Sequence, residues 1–141
     1  MGVRSRCRKA LLQGRFAAEL SGESLSSAMS SIHEMLQDAD SHIGAPLSNE
    51  DWAWVLELGR IVTHNRIEID ERISGALENY TLERLSIPTR LILEQAVAEM
   101  FYLDIPTPLP VAMDEAIDLA ADFDTEEAGG LVNGVLDRLA T

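Results

Sequence analysis

Apolar residues recur at three- and four-residue intervals along nearly the whole of this chain, and no useful length alternates as a half-buried strand would. That periodicity confines the fold to helices packed on helices. Between Arg4 and Leu20, the side chains of Cys7, Ala10, Leu11, Gly14 and Ala18 share one face, and Ser21-Gly22 ends the pattern. Leu25, Met29, Ile32, Met35 or Leu36, and Ala39 make the next, which stops before Gly44-Ala45-Pro46. Ser48-Asn49-Glu50-Asp51 has the layout of a capping box, a hydroxyl with a carboxylate three residues on. It opens a run through Trp52, Val55, Leu56, Gly59 and Val62. Ile69, Ile73, Ala76, Leu77 and Tyr80 predict a fourth helix, with Thr81 to Leu85 as its extension or a tight turn.

Pro88 suits the first turn of a fifth helix, where its missing N–H costs nothing. From Leu91 to Leu103 that helix is apolar nearly all round, which predicts the buried centre. Ile105 to Pro110 reads as a stiff connector. Beyond it Met113, Ala116, Ile117 and Ala120 point inward, while Asp114, Asp118 and Asp122 form an outward acidic stripe best read as a solvated face. Asp124-Thr125-Glu126-Glu127 caps a last helix whose core positions are Leu131, Val132, Val135, Leu136 and Leu139. The expectation is an all-α fold, a single compact helical bundle over residues 1–141 with about seven helices.

Charge is distributed unevenly over this framework. Arg4, Arg6, Arg8, Lys9 and Arg15 fall within the first fifteen residues, where there is no acid. The remaining 126 residues hold six basic and 24 acidic side chains, so a head of +5 precedes a body of −18. A net charge of −13 argues against indiscriminate nucleic-acid binding, yet the head leaves room for a specific, salt-sensitive contact with a polyanion. The lone Cys7 excludes an internal disulfide and fits a reducing compartment. No secretory leader is evident, and no apolar run is long enough to span a bilayer. A cytoplasmic protein without membrane contact is therefore expected.

The C-terminal third carries the most specific pattern. Val111-Ala112-Met113-Asp114-Glu115-Ala116-Ile117-Asp118-Leu119-Ala120, then Phe123, then Val132-Asn133-Gly134-Val135-Leu136-Asp137 resembles the signature of the NusB transcription antitermination family. Ile92-Leu93-Glu94-Gln95-Ala96-Val97-Ala98-Glu99-Met100 is similar to that family's central helix, and Arg4-Ser5-Arg6-Cys7-Arg8-Lys9-Ala10 to its opening arginine cluster. Ser24 to Ile61 adds little. A related domain opens certain ribosomal-RNA cytosine methyltransferases, but its motif ends "NavLR" where Asn133-Gly134-Val135-Leu136-Asp137 stands here, so a free-standing factor is expected.

The resemblance implies an all-helical, cofactor-free module that pairs with NusE, a small-subunit ribosomal protein. Together they bind boxA-type single-stranded RNA and help RNA polymerase read through terminators of ribosomal RNA transcription. It places RNA contacts at Arg4, Arg6, Arg8, Lys9 and Glu127, to which the helical wheel adds Arg15, and the protein-partner interface at Glu83, Arg84 and Arg90. It assigns Asn133 a structural role, satisfying backbone groups where helices meet, and Glu99 and Glu115, set in otherwise apolar helices, read as structural capping or buried-network residues. Arg4, Arg8 and Arg15 fall within about 40° on a helical wheel, a stripe that can track phosphates and stack on bases. Neutralising roughly four phosphates predicts a slope of about −3 in log affinity against log salt. The acidic body suits a basic ribosomal protein.

Four departures from the family pattern stand out. Gly130 and Leu131 replace a Lys or Arg and a Phe, Glu94 replaces an Arg, Arg15 replaces an apolar residue, and Lys9 is the one lysine. They keep two other readings open: a NusB-fold protein-interaction adaptor that has lost autonomous RNA binding, and a homodimer that hides the RNA face. Catalysis finds little support. His33, His42 and His64 lack metal-ligand spacing with one another or with Cys7. Gly129-Gly130 lacks the Lys-Ser/Thr of a phosphate loop and reads as easing close helix approach. The serines from Ser24 to Ser31 weaken a helix and have no nucleophile context. A non-enzyme without metal is expected.

Overall fold

A computed structural model describes residues 2–38 and 44–141. Among these the regular structure is seven α-helices and one short 3-10 turn, with no strand. Ala39 and His42, named above, lie outside the described residues. The chain divides into two compact units, Met1–Gly59 and Arg60–Thr141, with the division inside the third helix.

The first unit contains α1 (Val3–Ser21), α2 (Leu25–Gln37) and the start of α3 (Asn49–His64). Gly22 ends α1 in the left-handed region at φ 78°, its N–H donating to the Ala18 carbonyl at 2.9 Å. Ser24 accepts the Ser27 N–H at 3.1 Å, so the serine run begins a helix instead of weakening one. α1 packs on α2, and each buries apolar residues, Cys7, Ala10, Leu11 and Leu12 on the one and Ala28, Met29, Ile32 and Leu36 on the other. Each such leucine contributes about 1.5–3 kcal/mol by leaving water. Two glycines permit the close approach: a Cβ at Gly14 would collide with the Met29 thioether, and one at Gly59 would lie 3.1 Å from Leu11.

The expected box at Ser48 opens α3, with a twist. The Ser48 hydroxyl accepts the Asp51 N–H at 3.1 Å and donates to the Asp51 carboxylate at 2.9 Å, so that carboxylate turns to the cap's side chain and not to its backbone. The buried face of α3 uses Leu58 in place of Leu56, which is exposed. On the wheel Leu56 lies about 90° from the centre of the face set by Val55, Gly59 and Val62, and Leu58 about 70°.

In the second unit α5 (Ile87–Phe101) is the centre, buried at every residue from Leu91 to Met100. Ser86 caps it by accepting the Thr89 N–H at 3.3 Å, and Pro88 fills its first turn. The Asp124 carboxylate accepts the hydroxyls of both Ser86 and Thr89, tying the end of α6 (Leu109–Phe123) to the start of α5. α5 packs against α4 (Arg66–Ala76), α6 and α7 (Glu126–Ala140), and α6 lies along α7. Thr125 caps α7 by accepting the Ala128 N–H at 3.1 Å.

α4 stops at Ala76, short of the expected Tyr80, which is exposed. Arg138 of α7 donates its Nε–H to the Ala76 carbonyl at 2.6 Å, and Asn79 adopts a positive φ of 67°. Residues Leu82–Arg84 form the 3-10 turn. Asp114, Asp118 and Asp122 are exposed, as a solvated face requires. Of the paired glycines, Gly129 lies against Ile117 while Gly130 faces open space.

Candidate nucleic-acid interface

The first turn of α1 runs against helix stability. Gly2 offers no side-chain cap, no acid stands in the turn, and Arg4 and Arg6 put cations where the helix dipole is positive. Each misplaced cation costs roughly 0.3–1 kcal/mol. An incoming anion would relieve the repulsion and take up the free N–H groups.

Arg4 is the best-presented of these cations. Its guanidinium lies over the Trp54 ring, 4.3 Å from the centroid, and one nitrogen stands 3.6 Å from the Asp51 carboxylate. The side chain is still 46% exposed. Ser48 fixes Asp51 from the other side, so the cap of α3 and the head of α1 share one carboxylate. Arg6, half-buried, donates to the carbonyls of Ala45 and Pro46, the latter at 3.4 Å. Lys9 is half-buried.

The expected stripe of Arg4, Arg8 and Arg15 is not a surface stripe. Arg8 is 4% exposed and Arg15 6%. Their positions on the wheel, about 40° and 20° from Arg4, fall between the directions of Leu11 and Leu12. Both leucines are fully buried, and Arg8 and Arg15, within about one turn of them, go inside with them. Arg4, in the same sector but about two turns earlier at the start of the helix, stays exposed. Arg8 lies with its guanidinium 5.6 Å from the Trp54 ring centroid. Arg15, standing where the family has an apolar residue, is buried as that residue would be.

The remaining expected positions belong to the second unit. Glu127 is exposed in the first turn of α7, where a carboxylate suits the helix dipole without any RNA. Asn133 is exposed on α7, a surface position and not the junction of helices expected of it. Glu83 and Arg84 are exposed on the 3-10 turn, open to a partner. Arg90 is not: its guanidinium pairs with the Glu94 carboxylate at 3.3 Å, and its side chain is 16% exposed. Glu94 is wholly buried and also pairs with Arg66 at 3.3 Å. The charge reversal at Glu94 is therefore enclosed between two arginines. Glu99 is buried and accepts the Thr107 hydroxyl at 2.7 Å, fastening the connector to α5. Glu115 is half-buried on α6.

Reading the sequence missed Trp54. It lies off the apolar face of α3, and a large aromatic on the polar side of a helix is the signal that marks it. His33 stacks on Trp52, ring centroids 4.3 Å apart, and His64 is exposed at the end of α3. Burial pushes the Cys7 thiol above its usual range, with Asp51 adding to the shift and Arg4 opposing it. A protonated thiol is a poor nucleophile. Among the described residues no group of three His, Cys, Asp or Glu could hold a metal ion, and no helix is long and apolar enough to cross a membrane.

Seven α-helices among the described residues, with an arginine lying over an indole at the start of the first, define an all-helical protein. Comparison with known proteins narrows the class. A model of the NusB family matches residues 5–141. The transcription antitermination protein NusB of Clavibacter sepedonicus is 31% identical over 141 residues, covering 99% of this chain and 97% of its own. That of Pseudothermotoga lettingae is 43% identical over 79 residues, 56% of each chain. T. maritima NusB superimposes with a TM-score of 0.80 at 32% identity, over 97% of this chain and 89% of that one. A chain from the crystal structure of antitermination factors NusB and NusE in complex with dsRNA shares the fold, with a TM-score of 0.82 at 23% identity over 97% of this chain and 95% of its own. The chain belongs to the NusB family.

Proposed function

We infer that this chain is a transcription antitermination factor. It binds boxA-type single-stranded RNA together with the small-subunit ribosomal protein NusE, and joins RNA polymerase to promote ribosomal RNA transcription. The observation that carries the reading is the family match over residues 5–141, which takes in the C-terminal motif and the arginine head from Arg6 onward, with Arg4 just outside it. The names of the relatives support antitermination, and a fold neighbour solved with NusE and dsRNA supports the kind of partners. Arg4 is the principal RNA contact, with Arg6 and Lys9 as its partly exposed companions. Arg8 and Arg15 support the helix from within. The exposed Glu83 and Arg84 are the partner contacts, and the acidic body speeds and orients the approach of a basic protein. The chain acts by binding, without catalysis.

The burial of Arg8 and Arg15 favours a second reading, a NusB-fold adaptor without autonomous RNA binding. Fluorescence anisotropy of a labelled boxA-type RNA separates the two, run with and without the NusE-type protein at two salt concentrations. For the factor, binding tightens with the partner and weakens with salt, and Arg4→Ala lowers affinity about tenfold. With two of five cations buried, the slope against log salt should be nearer −2 than −3, by roughly −0.7 per phosphate. No RNA binding in either mixture would leave the adaptor. Self-association would appear in light scattering as a mass of twice 15.5 kDa.

A further inference from the structure

The setting of Arg4 is more specific than a phosphate contact requires. A cation that only neutralises phosphate needs charge and reach, and a flexible, solvated side chain supplies both. Here the guanidinium is fixed twice. Trp54 supports one face of its plane at 4.3 Å, and Asp51, itself held by Ser48, anchors it at 3.6 Å. The side chain nevertheless remains 46% exposed, so part of the supported cation is open to solvent. A planar cation held against an indole and partly open is a stacking surface. Arginine planes stack on nucleic-acid bases, and immobilising the plane in advance removes the ordering cost from the binding step.

We propose that Trp54 and Arg4 form a base-stacking site of the RNA interface, in which an unpaired base lies on the other face of the Arg4 guanidinium and Trp54 backs it from beneath. The proposal rests on the RNA reading above and adds to it a requirement for an unpaired base. A paired base keeps its faces inside the duplex stack and cannot enter. Arg4 then contributes through its plane as well as its charge, and Trp54 acts through Arg4 as a positioning residue.

The test uses the full chain and a boxA-type RNA, once as a labelled single strand and once annealed to its complement. Trp54→Leu should lower single-strand affinity about tenfold, the effect of losing roughly one base stack, and leave duplex affinity and the salt slope unchanged. Trp54→Phe, which keeps a ring, should retain most of the binding. Arg4→Lys, which keeps the charge and loses the plane, should match Trp54→Leu on the single strand and equal the parent chain on the duplex. Trp52→Phe leaves Trp54 as the sole indole, and its emission should change on adding single strand but not duplex. Unfolding midpoints identify any variant that fails to fold, and the Phe and Lys variants keep the question answerable if Trp54→Leu does.

Equal losses on both RNA forms, or undiminished single-strand binding by Arg4→Lys, would overturn the stacking site and leave Arg4 a phosphate contact. If the parent chain binds neither RNA form, with or without the NusE-type protein, the RNA reading itself falls and takes this proposal with it.

Discussion

Two of the places where guanidinium meets carboxylate in this molecule have opposite consequences. In the first unit Arg4 meets Asp51 at 3.6 Å in a half-exposed setting. In the second unit Glu94, with no exposure at all, is held by Arg66 and Arg90, each at 3.3 Å. Water screens the first pair, so it contributes little to stability and its cation stays available to a ligand. The second is enclosed, its desolvation offset only while both arginines are in place. The contrast separates charge that recognises from charge that holds the fold together. It also explains why two departures from the family pattern matter differently. Glu94 reverses a charge in the interior, where its neighbours cancel it, whereas Gly130 removes a cation from an exposed face where nothing replaces it.

The largest expected effect comes from breaking the enclosed cluster. Glu94→Ala leaves Arg90 without its carboxylate and should lower stability by about 3 kcal/mol in urea denaturation. That figure sits at the low end of the usual range because Arg66, 43% exposed, can turn back to water. The loss should barely change with added salt, and RNA affinity of the folded protein should be unaltered. A loss below about 1 kcal/mol would mean that the buried cluster behaves like a surface pair and the comparison fails.

Ser48→Ala tests the link between fold and site at intermediate size. It removes the cap of α3, worth about 1 kcal/mol, and frees the Asp51 carboxylate from its hydrogen bond. Stability should fall by that amount. Single-strand RNA affinity should fall a further two- to threefold, because Arg4 loses part of its support. A stability loss with unchanged affinity would show that Asp51 holds Arg4 without help.

How far the sequence disclosed these arrangements depends on the range of the interaction. Helices were legible where a single helix decides: the all-apolar run of α5, Pro88 in its first turn, Ser48 before α3. The end of α4 was not, because Leu77 and Tyr80 continue the apolar pattern while Arg138, 62 residues away, closes the helix at Ala76. At the head, the wheel grouped Arg4, Arg8 and Arg15 correctly and misjudged what the grouping meant. Leu11 and Leu12 on either side of that stripe were the readable sign that two of the three arginines turn inward. The Arg4–Trp54 and Arg66–Glu94 contacts join separate helices, and no local period encodes such pairings; only Arg90 and Glu94, four apart on α5, make a local one. Glu94 showed only as an acid in an apolar helix, without its partners.

The smallest effect is the most discriminating for the exposed site. A double-mutant cycle on Arg4→Ala and Asp51→Ala isolates their coupling from the capping that Asp51 also supplies through Ser48. At 3.6 Å and largely in water, the pair should contribute about 0.5 kcal/mol, falling toward zero at about 1 M salt, where the screening length is near 3 Å. Arg4→Ala alone should then change stability by under 1 kcal/mol while costing about tenfold in RNA affinity, a separation the enclosed cluster cannot show. A coupling above about 2 kcal/mol that survives salt would place Arg4 among the residues that hold the fold. Its loss of RNA binding on substitution would then report unfolding of the head, and the contact with RNA would have to be sought on another surface.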